Sequence, residues 1–289
     1  MLERWAASLA GVSGAIASAT GGAFRALGRP GRLLQDFLNG SWLGHPLHPV
    51  LTDVVVGAAT VAVMLDVLRI VFRVPGLELA TTWTVALTVL SALGTIVTGL
   101  TDFKDTAPGS SSRNVAGLHG LINIGGTALF AVALVLRLLD HNNWAALIFV
   151  VGYGVVSVGA FIGGHVVFKY GEMVNHNAFA RGKRAKEFTA VLPVAELAEA
   201  TPTKTMLGAT ALVLVRRGDV VHALKESCSH AGGPLSQGTL VDGAIQCPWH
   251  QSVFRLRDGA VLHGPATSRQ VMYRARVTDG QVEVQGPFD

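Results

Sequence analysis

The chain has 289 residues, of which 50% are hydrophobic and only 15% are charged, with a formal net charge of +4. So apolar a composition excludes an ordinary soluble globule, whose charged share is nearer a quarter. Two cysteines are too few for a disulfide framework and fit a reducing compartment.

Residues 1–40 are rich in Ala, Gly and Ser, with Trp5, Phe24, Leu33, Leu34, Phe37 and Leu38 set among Arg4, Arg25, Arg29 and Arg32. A signal peptide has an undiluted apolar core, so this stretch reads instead as an interfacial or loosely ordered arm on the cytoplasmic side. A domain at 41–180 follows. Its four apolar segments, about 50–73, 78–100, 117–139 and 144–168, each approach the ~20 residues a helix needs to cross hydrocarbon. Gly57, Gly94, Gly125, Gly126, Gly152 and Gly159 permit close helix approach, and Pro49 suits a first helical turn. The segments show no wide polar face, so they predict an antiparallel four-helix transmembrane bundle. Asp66 and Arg69, one turn apart, read as a structural ion pair.

Basic residues orient the bundle. Arg4, Arg25, Arg29, Arg32, Lys104, Arg113, Lys169, Arg181, Lys183, Arg184 and Lys186 fall on one side, and only Arg69, Arg73 and Arg137 on the other. The excess places both termini in the cytoplasm, in the inner or plasma membrane. His45, His48, His119 and His165 then gather at the cytoplasmic ends of the spans, with Asp53 and Asp102 close in sequence. Ionisable groups at span ends usually face a bundle interior or a cavity. Three chemistries remain open for them: a b-type haem, for which His48, His119 and His165 are the candidate axial ligands; a quinone site; or a histidine–aspartate metal site with three ligands. Simple interfacial solvation of these groups is the plainer alternative.

Residues 44–49, Gly-His-Pro-Leu-His-Pro, with Leu51-Thr52-Asp53, Gly99-Leu100-Thr101-Asp102 and Gly163-Gly164-His165, resemble an uncharacterised family of bacterial four-helix membrane domains over roughly 40–180. The resemblance implies the fold and no activity.

The basic run ending at Lys186 suits anionic headgroups. It lacks interleaved aromatics, which argues against nucleic acid as a partner. From 187 to 289 the pattern turns to short apolar or alternating runs at 211–216, 220–224, 253–256, 271–277 and 282–284. Asp242-Gly243, Asp258-Gly259 and Asp279-Gly280 supply turns between them, and the whole predicts one small all-β domain.

Both cysteines lie there, each beside a histidine: Cys228-Ser229-His230 and Cys247-Pro248-Trp249-His250. Two loops that each deliver one sulfur and one nitrogen suit a [2Fe–2S] cluster with thiolates on one iron and imidazoles on the other. A Cys2His2 zinc site uses the same residue types, although zinc fingers usually pair like with like.

These residues, with Ala231-Gly232-Gly233-Pro234-Leu235, Asp258-Gly259 and Gly264-Pro265-Ala266-Thr267, resemble the Rieske family over roughly 187–289. The resemblance implies that Cys228 and Cys247 hold one iron and His230 and His250 the other. Gln251 stands where the family usually has glycine, and there is no further cysteine pair to link the loops, which places the site with the ferredoxin type. Leu235, Pro234 and Trp249 are expected to shield the cluster, and Ser252 to donate a hydrogen bond to a sulfur; His222 and His263 read as surface or packing residues. The expected function is single-electron transfer at the cytoplasmic face, between donor and acceptor proteins or quinone. A haem- or quinone-linked oxidoreductase and a redox sensor are the alternatives. The chain offers no site for the mononuclear iron of an oxygenase.

Overall fold

A computed structural model describes residues 2–179 and 185–288. The polybasic residues Arg181, Lys183 and Arg184, and the side chain of Lys186, lie outside the described residues. The chain forms two compact units, Met1–Gly31 with Pro46–Glu172 and Arg32–His45 with Met173–Asp289.

The first unit is helical. Four long apolar helices, α4 (Leu47–Ile70), α5 (Glu78–Phe103), α6 (Ser111–Leu138) and α7 (Asn142–Phe168), match the expected spans in number and order. The structure starts α6 earlier than the apolar run does, because the Ser110 side chain caps the helix by accepting the Arg113 N–H at 3.1 Å. Pro49 lies in the first turn of α4, where its missing donor costs nothing.

The bundle core is thin. Ala59, Ala62, Val85, Val89, Phe130, Ala133, Phe149 and Val156 fill it, with Phe130 and Phe149 stacked at 4.6 Å. The outward faces carry Leu90, Val132, Val135, Val158 and Phe161, all exposed. Apolar surface that continuous is unstable in water and matches hydrocarbon. Threonines along α5 satisfy their hydroxyls inside the helix: Thr81, Thr84, Thr88, Thr95 and Thr101 each donate to the carbonyl four residues back. That explains why so many polar residues leave the span apolar in practice.

Asp66 bonds Arg69 at 3.4 Å, as expected. Its stronger partner is Arg137 of α6, a residue the sequence had placed only in the charge count; both side chains are almost fully buried. Arg69 also donates to the Asn142 carbonyl and the Asn143 side chain, tying α4 to α7.

The N-terminal stretch departs from a loose arm. It forms three helices, α1 (Leu2–Ala7), α2 (Ala10–Ala26) and α3 (Gly28–Asn39). Ala6 is fully buried with Val115, Ile162 and Val166, and Ser13 presses so closely on α6 that a Cβ at Gly117 would lie 2.2 Å from its oxygen. Small residues diluted the apolar signal there, and small residues are what allow helices to come this close.

Among the described residues of the second unit, ten strands form two sheets. The six-stranded sheet runs β1 (Ala185–Pro193), β10 (Gln281–Phe288), β9 (Met272–Thr278), β4 (Val220–Lys225), β3 (Thr210–Arg217), β2 (Thr203–Leu207). The four-stranded sheet is a meander of β5 (Thr239–Val241), β6 (Ala244–Gln246), β7 (Val253–Arg255) and β8 (Val261–His263). Asp242-Gly243 and Asp279-Gly280 turn β5–β6 and β9–β10, each with two successive positive φ values. Strand β3 is buried on both faces: Leu212 and Leu214 join Leu197, Ala223, Val282 and Val284, while Val213 and Val215 join Leu224, Ile245 and Phe254. Cys228, Cys247 and Leu235 belong to the latter core.

Candidate functional site

Two loops carry the four donors. Cys228 and His230 follow β4, and Cys247 and His250 join β6 to β7. The loops close alike, with short backbone hydrogen bonds around each cysteine. Cys228 N donates to Gly233 O at 2.9 Å and Cys247 N to Ser252 O at 2.8 Å. Gly232 N returns to Cys228 O and Gln251 N to Cys247 O. Each sulfur is thereby held inside a tight turn whose backbone amides point inward.

Both cysteines are buried, at 1% and 2% exposure, whereas the two imidazoles are only partly covered. The thiols hydrogen-bond to one another, which draws Cys247 down to about 7 and, together with burial, pushes Cys228 up. The rings of His230 and His250 stand 5.1 Å apart at 87°. With a metal–imidazole bond of about 2.1 Å and a ring radius of about 1.1 Å, that spacing is the one two rings would have on a shared metal at an angle of about 105°, close to tetrahedral. Among the described residues no three His, Cys, Asp or Glu side chains enclose a single metal position. The two thiols hydrogen-bond to each other and the two rings face each other, which groups the donors as a sulfur pair and a nitrogen pair.

The cradle is built for close approach. A Cβ at Gly233 would stand 2.8 Å from the Cys247 sulfur and 3.1 Å from the Trp249 ring. Gly264, at φ +95°, brings its loop within 2.6 Å of the Ser252 Cα by the same measure. Leu235 is fully buried beside both sulfurs. Trp249 is 56% exposed, so it borders the site at the surface rather than sealing it. The Ser252 hydroxyl accepts the Ala266 N–H at 3.1 Å and keeps its own proton to donate.

Several holders were not singled out by sequence. Buried Gln270 accepts Ser229 N–H at 3.0 Å and donates to the carbonyls of Lys225 and Ser227, fixing the first loop from below. Asn177 adds bonds to Ser227 O and Gln270, and the Ser229 carbonyl accepts from His176 N. Glu226 receives both the amide and the hydroxyl of Ser236. Asp36, on α3, accepts Gly264 N–H at 2.9 Å and pairs with His263 Nδ1 at 2.7 Å. His263 is thus a tether for that loop. Uncharged amides and a carboxylate 228 positions away in sequence carry no motif, so nothing in the pattern announced them.

Gln251 has φ +62°. A side chain in this left-handed region costs about 1–2 kcal/mol, which glycine does not incur. Gln251→Gly is expected to raise the stability of the cluster loop by about 1 kcal/mol, seen as a higher midpoint for thermal loss of visible absorbance.

In the first unit the structure pairs His48 with His119, ring centroids 6.3 Å apart at 86°. The other candidates do not join them. His165 turns back to the Phe161 carbonyl of its own helix at 3.2 Å, Asp53 is exposed, Asp102 keeps one buried oxygen without a hydrogen-bond partner, and His45 belongs to the other unit.

A family model described as "Rieske [2Fe-2S] domain" matches residues 187–278, and one described as "Predicted membrane protein (DUF2231)" matches 44–176. The anthranilate 1,2-dioxygenase ferredoxin subunit of Burkholderia cepacia is 37% identical over 89 residues, 31% of this chain and 82% of that protein. Ferredoxin CarAc of Metapseudomonas resinovorans is 34% identical over 80 residues, 28% of this chain and 75% of that one. A solved ferredoxin of carbazole 1,9a-dioxygenase from Nocardioides aromaticivorans IC177 is 27% identical, covering 36% of this chain and all of that one, with a TM-score of 0.34.

Proposed function

Because the chain belongs to the Rieske [2Fe–2S] family through residues 187–278, we propose that it is a one-electron carrier fixed to the cell membrane and working at its cytoplasmic face. The observation that carries this is the division of donors between a buried sulfur pair and a partly exposed imidazole pair. A bound cluster supplies a centre that exchanges one electron at a time. Buried Cys228 and Cys247 would hold one iron of it, and the partly exposed His230 and His250 would hold the other. Leu235 keeps water from the sulfurs, and the Ser252 proton donates to one of them; both effects tune the potential.

Exposed Trp249, 6.4 Å from His250 between ring centroids, marks where a partner would dock, since aromatic anchors dominate transient interfaces. The named relatives are ferredoxins, one of them a dioxygenase subunit, so the partners are a reductase as donor and an oxygenase as acceptor on other chains. The basic-residue excess supports the cytoplasmic side. The exposed Leu33, Leu34 and Phe37 beside Arg29 and Arg32 suit α3 to a lipid surface.

A redox titration with membrane-impermeant mediators tests this reading. Inside-out vesicles are expected to give a one-electron curve with its midpoint between about −150 and +300 mV, and right-side-out vesicles none. A curve confined to right-side-out vesicles would reverse the orientation, and a two-electron curve would reject the carrier role.

A further inference from the structure

His48 and His119 occupy equivalent places in the two helical hairpins of the bundle. His48, on α4, bonds through Nδ1 to the Thr95 carbonyl of α5 at 2.9 Å, and its ring lies over Gly99, where a Cβ would come within 2.8 Å. His119, on α6, bonds through Nδ1 to the Gly159 carbonyl of α7 at 2.8 Å, and its ring lies over Gly163, where a Cβ would come within 2.7 Å. In both hairpins the accepting carbonyl is four residues before the glycine. The same device appears twice: a glycine makes room for the ring, and the carbonyl one turn earlier fixes its direction.

A carbonyl only accepts, so each Nδ1 carries the proton and each Nε2 presents its lone pair; the Asn123 amide nitrogen, 3.2 Å from His119 Nδ1, then gives its hydrogen bond to the His119 carbonyl at 2.8 Å rather than to the ring. No described group bonds either Nε2. An N–H held by a backbone carbonyl is how proteins orient a histidine that ligates metal through its other nitrogen. Taking again a bond of about 2.1 Å and a ring radius of about 1.1 Å, a separation of 6.3 Å corresponds to an N–metal–N angle of about 160°. The two imidazoles can therefore oppose one another across a metal. That trans arrangement from separate helices is what the axial positions of an iron porphyrin require.

We propose that His48 and His119 are the axial ligands of a b-type haem held in the bundle between α4 and α6, a second centre independent of the iron–sulfur site. Its surroundings agree: no third His, Cys, Asp or Glu converges on the pair to make a closed metal-ion site among the described residues.

The test uses the full-length protein purified in detergent from cells supplied with a haem precursor. The wild type is expected to show a Soret band, a pyridine haemochrome of b type and a low-spin ferric EPR signal. His48→Ala and His119→Ala are each expected to lose all three, while His165→Ala keeps them. Removing a ring from a packed bundle can unfold it, so His119→Met serves as the second variant. It retains a ligand and bulk, and is expected to keep haem with a shifted spectrum and a raised potential, which a packing role alone would not produce. The cluster signal recorded on the same samples reports the other domain, so loss of haem and loss of the Rieske reading are told apart. Wild-type protein that shows the cluster signal and no Soret band overturns the proposal, as does haem that persists unchanged in both alanine variants. Copper or zinc bound at the pair in place of haem overturns it as well.

Discussion

His230→Ala and His250→Ala are each expected to abolish the low-average-g EPR signal of dithionite-reduced membranes. On the proposed ligation the two rings, 5.1 Å apart, hold one iron between them, and no other described His, Cys, Asp or Glu joins the pair to replace either. Loss of one ring leaves that iron under-coordinated and open to water, so the cluster is lost rather than merely shifted. The double variant His230→Cys/His250→Cys separates ligation from folding. If the loops keep their form, thiolates in place of imidazoles are expected to lower the midpoint by several hundred millivolts, because imidazole ligation is what lifts this cluster class above the plant-type ferredoxins. An unaltered signal in either alanine variant would contradict the assignment of ligands.

Asp66→Ala is expected to destabilise the helical unit by about 3–5 kcal/mol, read as a lower midpoint for thermal unfolding in detergent. The aspartate neutralises Arg137, whose side chain is fully buried and whose Nε and Nη1 have no other partner, and it also meets Arg69. Removing the carboxylate strands a guanidinium in a medium that cannot solvate it. The double change Asp66→Leu/Arg137→Leu removes both charges and is expected to recover most of the loss, since an ion pair of this kind gains little over apolar packing. A single variant as stable as the parent would mean that water reaches Arg137.

The parts of the molecule that could be read from sequence share one property: their signal is local. Apolar runs near the length of a span gave α4 to α7, and Asp-Gly turns between short apolar runs gave the hairpins at Asp242 and Asp279. The pairing of each cysteine with a histidine in one short loop singled out the four side chains that the two loops present together. What stayed hidden depends on residues far apart in the chain. Arg137 meets Asp66 across 71 positions, Asp36 reaches Gly264 across 228, and Gln270 serves loops built around Ser227 and Ser229. None of these belongs to a short pattern. The packing of α1 and α2 on the bundle was obscured for another reason, since Ala, Gly and Ser give little hydropathy while giving the closest contacts. The histidines at the span ends were visible as a group, but only the fold separates His48 and His119, which face each other, from His165, which bonds its own helix.

Pulsed EPR on the reduced, anaerobically purified protein, resolving nitrogen hyperfine couplings to the cluster, tests the coordination most directly. The mixed ligand set predicts couplings from two imidazole nitrogens, both removed by labelling histidine with ¹⁵N and replaced by the ¹⁵N pattern. A cluster signal without directly coordinated nitrogen, or a protein holding stoichiometric zinc with no acid-labile sulfide, would contradict it.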